Sequence, residues 1–205
     1  MYNRKAATMY FSSWDRARIL SIVPLLVMIS GCGSSATTES KSSSGAATGT
    51  APATPPSAAP KVIAGTPLSG SGNTLTSAVA FHDDGGQTNI SEVFLLVNDP
   101  GRGVDGTGGC VVWCQRLTGD VYLLDDAGKS WLGPHKLASR DVLVNHQCLL
   151  SLGNTNVAES NGDLQWVVSL GFSKPFAGSK NIYAKAVNQQ KLESNFALLG
   201  SWIVK

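Results

Sequence analysis

From residue 74 to residue 204, short apolar runs alternate with clusters of glycine, asparagine and aspartate. The clearest run is Leu164-Gln165-Trp166-Val167-Val168-Ser169-Leu170-Gly171-Phe172, in which every second residue from Leu164 is large and apolar. A period of two places those side chains on one face of a β-strand, so the run predicts a strand with one buried face. Similar runs predict strands over 74–81, 92–98, 110–115, 120–125, 147–152, 180–188 and 196–204. The pieces between them, such as Asp83-Asp84-Gly85-Gly86, Asp99-Pro100-Gly101 and Asn161-Gly162-Asp163, carry turn chemistry. Only Leu192-Glu193-Ser194 suggests a turn of helix. Seven or eight short strands at this spacing predict an all-β chain folded as an antiparallel β-sandwich.

Upstream the pattern changes. Residues 33–60 are almost wholly Gly, Ser, Ala, Thr, Pro, Glu and Lys, with no large apolar side chain to offset the entropy of ordering. The expected organisation is an export segment over 1–31, a flexible linker over 32–61 and one domain over 62–205, long enough to bury its own core. The formal charge of the 205-residue chain is +2. The domain's basic residues are scattered among acidic ones, so no nucleic-acid footprint is expected.

The first 31 residues look like an address, not a fold. Arg4, Lys5, Arg16 and Arg18 precede the apolar run 19–29, which contains Pro24 and is too short to span about 30 Å of hydrocarbon as a helix. Ile29-Ser30-Gly31-Cys32 follows, and this tetrapeptide resembles the lipobox of bacterial lipoproteins. The resemblance implies cleavage before Cys32, lipid on its thiol, and a membrane as partner through that lipid. Several acyl chains, at about 0.8 kcal/mol per buried methylene, anchor a protein where one chain would not. The linker would then act as a tether with an end-to-end distance of about 30 Å. Gly33, in place of an acidic residue, points to outer-membrane or outward-facing placement by resemblance to enteric lipoproteins.

A second resemblance covers most of residues 68–204. The segments 121–128 (Val-Tyr-Leu-Leu-Asp-Asp-Ala-Gly), 131–134 (Trp-Leu-Gly-Pro), Gln147-Cys148, 174–183 (Lys-Pro-Phe-Ala-Gly-Ser-Lys-Asn-Ile-Tyr) and 199–204 (Leu-Gly-Ser-Trp-Ile-Val) carry it, in that order. Together they resemble a β-sandwich module that recurs in large surface and secreted proteins of soil bacteria. The resemblance implies immunoglobulin-like architecture, often in tandem or accessory modules, and it brings no catalytic residues. It also implies a disulfide between Cys110 and Cys148, which match the module's two cysteines. An exported compartment permits such a bond. Cys114 stands where the module has an aromatic residue and is expected to be a buried, unpaired thiol. The competing interpretation is a metal site built from Cys110, Cys114, His146 and Cys148. Cysteines four apart on a strand stand about 13 Å apart along its axis, so no metal and no cofactor is assigned.

Candidate chemistry elsewhere is sparse. His82-Asp83-Asp84 could serve proton transfer, but Asp-Asp-Gly-Gly is also what a tight turn requires, and the turn is favoured. Asp99 and Asp105 lack any calcium-loop spacing. The stretch Gly101 to Gly109 lacks the Gly-Lys-Ser/Thr ending of a phosphate loop and is read as a long connection between strands. Trp113, Trp131, Trp166 and Trp202, with Tyr122 and Tyr183, are expected to serve the core, although an exposed row of them would form a binding platform. The expected function is therefore a noncatalytic surface module that binds protein or carbohydrate, or serves the envelope structurally. The alternative is an exported hydrolase using His82 or His146 with a nearby Asp. An exposed aromatic row would favour the first, and a His–Asp pair in a deep cleft the second.

Overall fold

A computed structural model of the chain describes residues 58–205. The expected export segment, Cys32 and the expected linker up to residue 57 lie outside the described residues. Thirteen strands occur among them, not seven or eight: β1 (Lys61–Thr66), β2 (Ser69–Ser71), β3 (Thr74–His82), β4 (Ile90–Asn98), β5 (Cys110–Gln115), β6 (Asp120–Leu124), β7 (Trp131–Lys136), β8 (Val142–Val144), β9 (Cys148–Ser151), β10 (Asn156–Ser160), β11 (Asp163–Phe172), β12 (Gly178–Asn188) and β13 (Ala197–Val204). The eight expected strands correspond to β3, β4, β5, β6, β9, β11, β12 and β13. The five additional ones lie at sheet edges and are short or mostly exposed, so they carry little apolar periodicity.

The strands form two sheets. One runs β1-β3-β11-β9-β8, with β10 also paired to β11; the other runs β2-β13-β12-β4-β5-β6-β7. All named pairs are antiparallel except β2 with β13, a parallel pairing of three residues, so the second sheet is mixed where an antiparallel one was expected. Residues 192–194 form no helix: Glu193 bridges back to Val187 in an extended connection. Ahead of β1, Pro60 is buried and the Ala58 carbonyl accepts from Asn188 Nδ2 at 3.0 Å.

The core follows from the period-two pattern. Leu75, Val79 and Phe81 of β3 and Leu164, Trp166, Val168 and Leu170 of β11 face Val93, Leu95 and Val97 of β4, Cys110, Val112 and Cys114 of β5, and Ile182 and Ala184 of β12, in one continuous cluster. The hairpin β10–β11 turns on Asn161 and Gly162, both at positive φ, as a two-residue hairpin loop demands. On the edge strand β7, one extra residue opposite Val121 to Leu123 makes a bulge that contains Gly133 and Pro134. Gly133 has φ +116, and a Cβ there would stand 2.8 Å from the Val121 carbonyl oxygen. Proline is tolerated there because an edge strand has unpaired positions.

The Cys110–Cys148 disulfide is present, and it ties β5 of one sheet to β9 of the other with α-carbons 5.9 Å apart. It closes a loop of sequence separation 38, for which chain entropy predicts about 3–4 kcal/mol of stabilisation. Cys114 is a free, buried thiol beside Val93 and Val121. Burial first, with Asp120 adding, pushes its pKa up to about 12, so it stays protonated and unreactive.

A candidate binding cleft on the outer face of the seven-stranded sheet

In a sandwich the outward positions usually carry polar side chains. On part of the seven-stranded sheet, beyond Glu92, Gln115 and Asp120, they are apolar instead. The register sets Phe94 of β4 beside Trp113 of β5, and Trp113 beside Tyr122 of β6. Their rings stand in a row: Phe94 and Trp113 are parallel at 5.9 Å between centroids, and Trp113 and Tyr122 are stacked at 4.5 Å. Trp131, from β7, leans back across the row, 5.2 Å from Trp113 and 6.5 Å from both Phe94 and Tyr122. At the other end, Lys185 of β12 sits 4.9 Å over the Phe94 ring and 5.3 Å from the Phe196 ring, and it donates to Glu193 Oε2 at 2.8 Å. Such ring pairs contribute about 0.5–1.5 kcal/mol each beyond burial, and the ammonium adds a cation–π contact.

Two residues further toward the end of the sheet, Leu96, Val111 and Leu124 also point outward, and the connection from Asp99 to Gly109 folds over them. Its start is held by an ion pair of Asp99 with the buried Lys180, which also donates to the Ala177 carbonyl at 3.2 Å. Its middle is tied by Arg102 Nη1 to the Thr107 carbonyl at 3.0 Å and by Thr107 N to Asp105 Oδ1 at 2.9 Å. Hydrogen bonds from the Thr107 backbone and hydroxyl hold the Asp105 carboxyl below its ordinary pKa. Its end is fixed by Gly108 N donating to the Asp126 carbonyl at 3.1 Å. Gly106 lets the connection lie close: a Cβ there would stand 2.8 Å from Leu124 Cδ2 and 3.1 Å from Val111 Cγ2.

Between this connection and the aromatic row lies an open cleft of about 200 Å³, lined by Phe94, Leu96, Val104, Gly106, Val111, Leu124, Trp131, Lys185 and Phe196. Of the nine described residues that line it, eight are uncharged, and Lys185 is the exception. Trp131 remains 37% exposed and Val104 53% exposed.

The expectation that the tryptophans serve the core holds for Trp166, which is fully buried, and fails for Trp113 and Trp131. The reason is parity. In β4 and β5 both alternating sets are apolar, so the sequence does not say which set faces inward. Continuous apolar runs there, against the clean alternation of β11, were the available signal that something covers the outer face. Phe94, Lys185, Phe196 and Val104 escaped sequence reasoning altogether. Trp202 is half-buried and donates from Nε1 to the Gly72 carbonyl at 2.9 Å, and the Tyr183 hydroxyl accepts from Asn181 at 2.9 Å.

The histidines lie apart from the cleft and from one another. His82 Nδ1 is 2.8 Å from Asp163 and its Nε2 is 3.4 Å from Asp84; the hydrogen bond to Asp163 is the main reason that its pKa lies above the ordinary value. His146 pairs with Asp126 while its side chain is 86% exposed, and His135 pairs with Asp141 at 2.9 Å. Asp126 lies below its ordinary pKa: burial raises it, but the ring and backbone hydrogen bonds of His146 together lower it by more. Among the described residues no His82 or His146 ring hydrogen-bonds to a hydroxyl or thiol. Asp83 is buried in the turn that was favoured for it, accepting from Gly85 N at 2.8 Å, Asn89 at 2.7 Å and Asn188 at 3.2 Å. The thiols of Cys110 and Cys148 are committed to each other, and no group of three or more His, Cys, Asp or Glu able to hold a metal ion occurs among the described residues.

Compared with known proteins, the chain matches no protein family and no curated protein.

Proposed function

We propose that this chain is an exported, lipid-anchored protein whose immunoglobulin-like sandwich is a noncatalytic module that binds other proteins through the outer-face cleft. The observation that carries the proposal is the set of outward apolar residues Phe94, Leu96, Val111, Trp113, Tyr122, Leu124 and Trp131 on one sheet. Folding requires apolar inner faces only, so a concave apolar outer face calls for another use. Protein is favoured over carbohydrate because of ring geometry. A sugar stacks on an exposed ring face beside several polar side chains, whereas here Phe94, Trp113 and Tyr122 spend their faces on one another and the lining is nearly all apolar.

Chain direction supports display. Ala58, where a tether would leave, lies at the end of the sandwich that holds Asn188, and the Asp99–Gly109 connection beside the cleft lies at the opposite end. An inter-sheet disulfide and a buried tryptophan support the immunoglobulin-like reading. The hydrolase reading would rest on His82 with Asp163 or His146 with Asp126, and both imidazoles stand at open surface without a nucleophile in contact.

The binding half is tested on the purified full chain labelled with 5-fluorotryptophan, which has five tryptophans to report. Titration with a capped phenylalanine-containing peptide should move the Trp131 and Trp113 resonances and leave Trp166 in place. No movement, or movement with a linear β-linked glucan oligosaccharide instead, would reject protein binding at this cleft. The anchoring half is tested by Cys32→Ser, which should shift the chain from the detergent phase to the aqueous phase; unchanged partition would reject lipidation at Cys32.

A further inference from the structure

Among the described residues Lys185 is the only charged one that lines the cleft, and its environment is unusual for an ammonium. Its side chain is 20% exposed, it lies against the faces of Phe94 and Phe196, and of its three N–H donors one is matched, by Glu193 Oε2 at 2.8 Å. Glu193 is itself 59% exposed and belongs to the connection between β12 and β13, so it meets Lys185 from outside the cleft lining. An ammonium held in an apolar wall with donors to spare is completed by an oxygen anion arriving with the ligand. A cationic ligand would meet like charge, and a wholly apolar one would cover those donors without satisfying them.

We infer that the segment captured by the cleft carries a large apolar side chain and, on the same face, a carboxylate that lands on Lys185. This rests on the protein-binding reading above and sharpens it. On an extended segment, residues i and i+2 share a face about 7 Å apart. The fitting pattern is therefore an aromatic or long aliphatic residue followed, two positions on, by Asp or Glu. The cleft selects its partner by charge as well as by apolar fit, and Lys185 is the specificity-determining residue.

The probes are three peptides capped at both ends, so that no terminal carboxylate competes: Gly-Ser-Phe-Ser-Glu-Ser-Gly, the same with Lys for Glu, and the same with Ala for Phe. Decanoate serves as a lipid-like carboxylate. Binding to the full chain is read from the Trp131 fluorine resonance, with Trp166 as the check on the fold. The Glu peptide should bind about fivefold more tightly than the Lys peptide, which is what one partly desolvated ion pair contributes. Lys185→Met keeps the stem on Phe94 and should reduce that preference below about twofold, whereas Lys185→Arg should keep it. Equal binding of the Glu and Lys peptides, or a preference that survives Lys185→Met with Trp166 unperturbed, overturns this inference while leaving the cleft a protein-binding site. Loss of all three peptides from the cleft overturns the protein-binding reading itself. Lys185-dependent capture of decanoate in preference to the Glu peptide overturns the choice of a protein partner.

Discussion

The two sheets are built alike on the inside and differently on the outside. On the six-stranded sheet the outward positions of β3 and β11 are Thr74, Thr76, Ala78 and Ala80, and Gln165, Val167, Ser169 and Gly171. On the seven-stranded sheet the corresponding positions of β4, β5 and β6 carry Phe94 and Leu96, Val111 and Trp113, and Tyr122 and Leu124. Both inner faces contribute to the same core, so the requirement of folding is met equally. The outer faces therefore separate what a β-sandwich needs from what this one has in addition. Small and threonine-rich positions suffice for a solvated β-surface. The aromatic row exceeds that, and the Asp99–Gly109 connection is placed where it turns a flat row into a cleft.

The contrast can be broken or sharpened by substitution. The largest effect belongs to the shared inner face: Trp166→Ala, at a fully buried site, should cost about 3–5 kcal/mol, read as a shift in denaturation midpoint. A loss below 1 kcal/mol would mean that the two inner faces do not share one core. Next comes the bond between the sheets. Cys148→Ser should cost about 3–4 kcal/mol and should leave Cys114 unalkylated until the protein unfolds, because that thiol is buried and protonated. Rapid alkylation of Cys114 in the folded Cys148→Ser variant would contradict this.

Trp131→Ala removes ring contacts but empties no core, so it should cost about 1 kcal/mol of stability and abolish peptide binding at the cleft. Thr76→Ala, on the opposite outer face, should change stability by less than about 0.5 kcal/mol and leave binding intact. If the two substitutions behaved alike, the distinction between the outer faces would fail.

The smallest effects are electrostatic. His82 has a raised pKa because Asp163 stabilises its charged form. Its contribution is therefore fully present below the unfolded value of about 6.5 and is lost as pH rises through the folded value. His82→Gln should lower the melting temperature more at pH 5 than at pH 8.5; an equal effect would show that the pair contributes nothing. Asp105, Asp120, Asp125, Asp126 and Asp141 lie below their ordinary value. Their contribution is present above that value and is lost as pH falls through the lower folded ones, so acid should destabilise the domain from about pH 4 downward.

Legibility followed the strength of each local signal. The alternation of β11 and the apolar runs of β3, β4, β5, β6, β9, β12 and β13 were readable because burial of a strand face leaves a period of two or a continuous run. The strands β1, β2, β7, β8 and β10 were not, because an edge strand is specified by its neighbour's hydrogen bonds more than by its own side chains. At the cleft, Trp113 and Trp131 were visible as residues but were assigned to the wrong surface. Lys185 and Phe196 gave no signal, since they belong to the site through cross-strand register with Phe94 and through the return of the chain after β12.

By itself the sequence determined the all-β class, the cysteines that pair, the turn at Asp83 and the change in character near residue 60. Each follows from side-chain type and spacing along a short stretch, or from resemblance over a longer one. Only the tertiary structure decided which apolar set of β4 and β5 faces the core, how the Asp99–Gly109 connection lies on the sheet, and that Lys185 points into an apolar cleft. These depend on which strands become neighbours, and strand pairing joins residues far apart in sequence, such as Phe94 with Trp113 and Lys185. Local pattern cannot encode that choice, because a strand apolar on both faces has two equivalent orientations until the opposite sheet claims one of them.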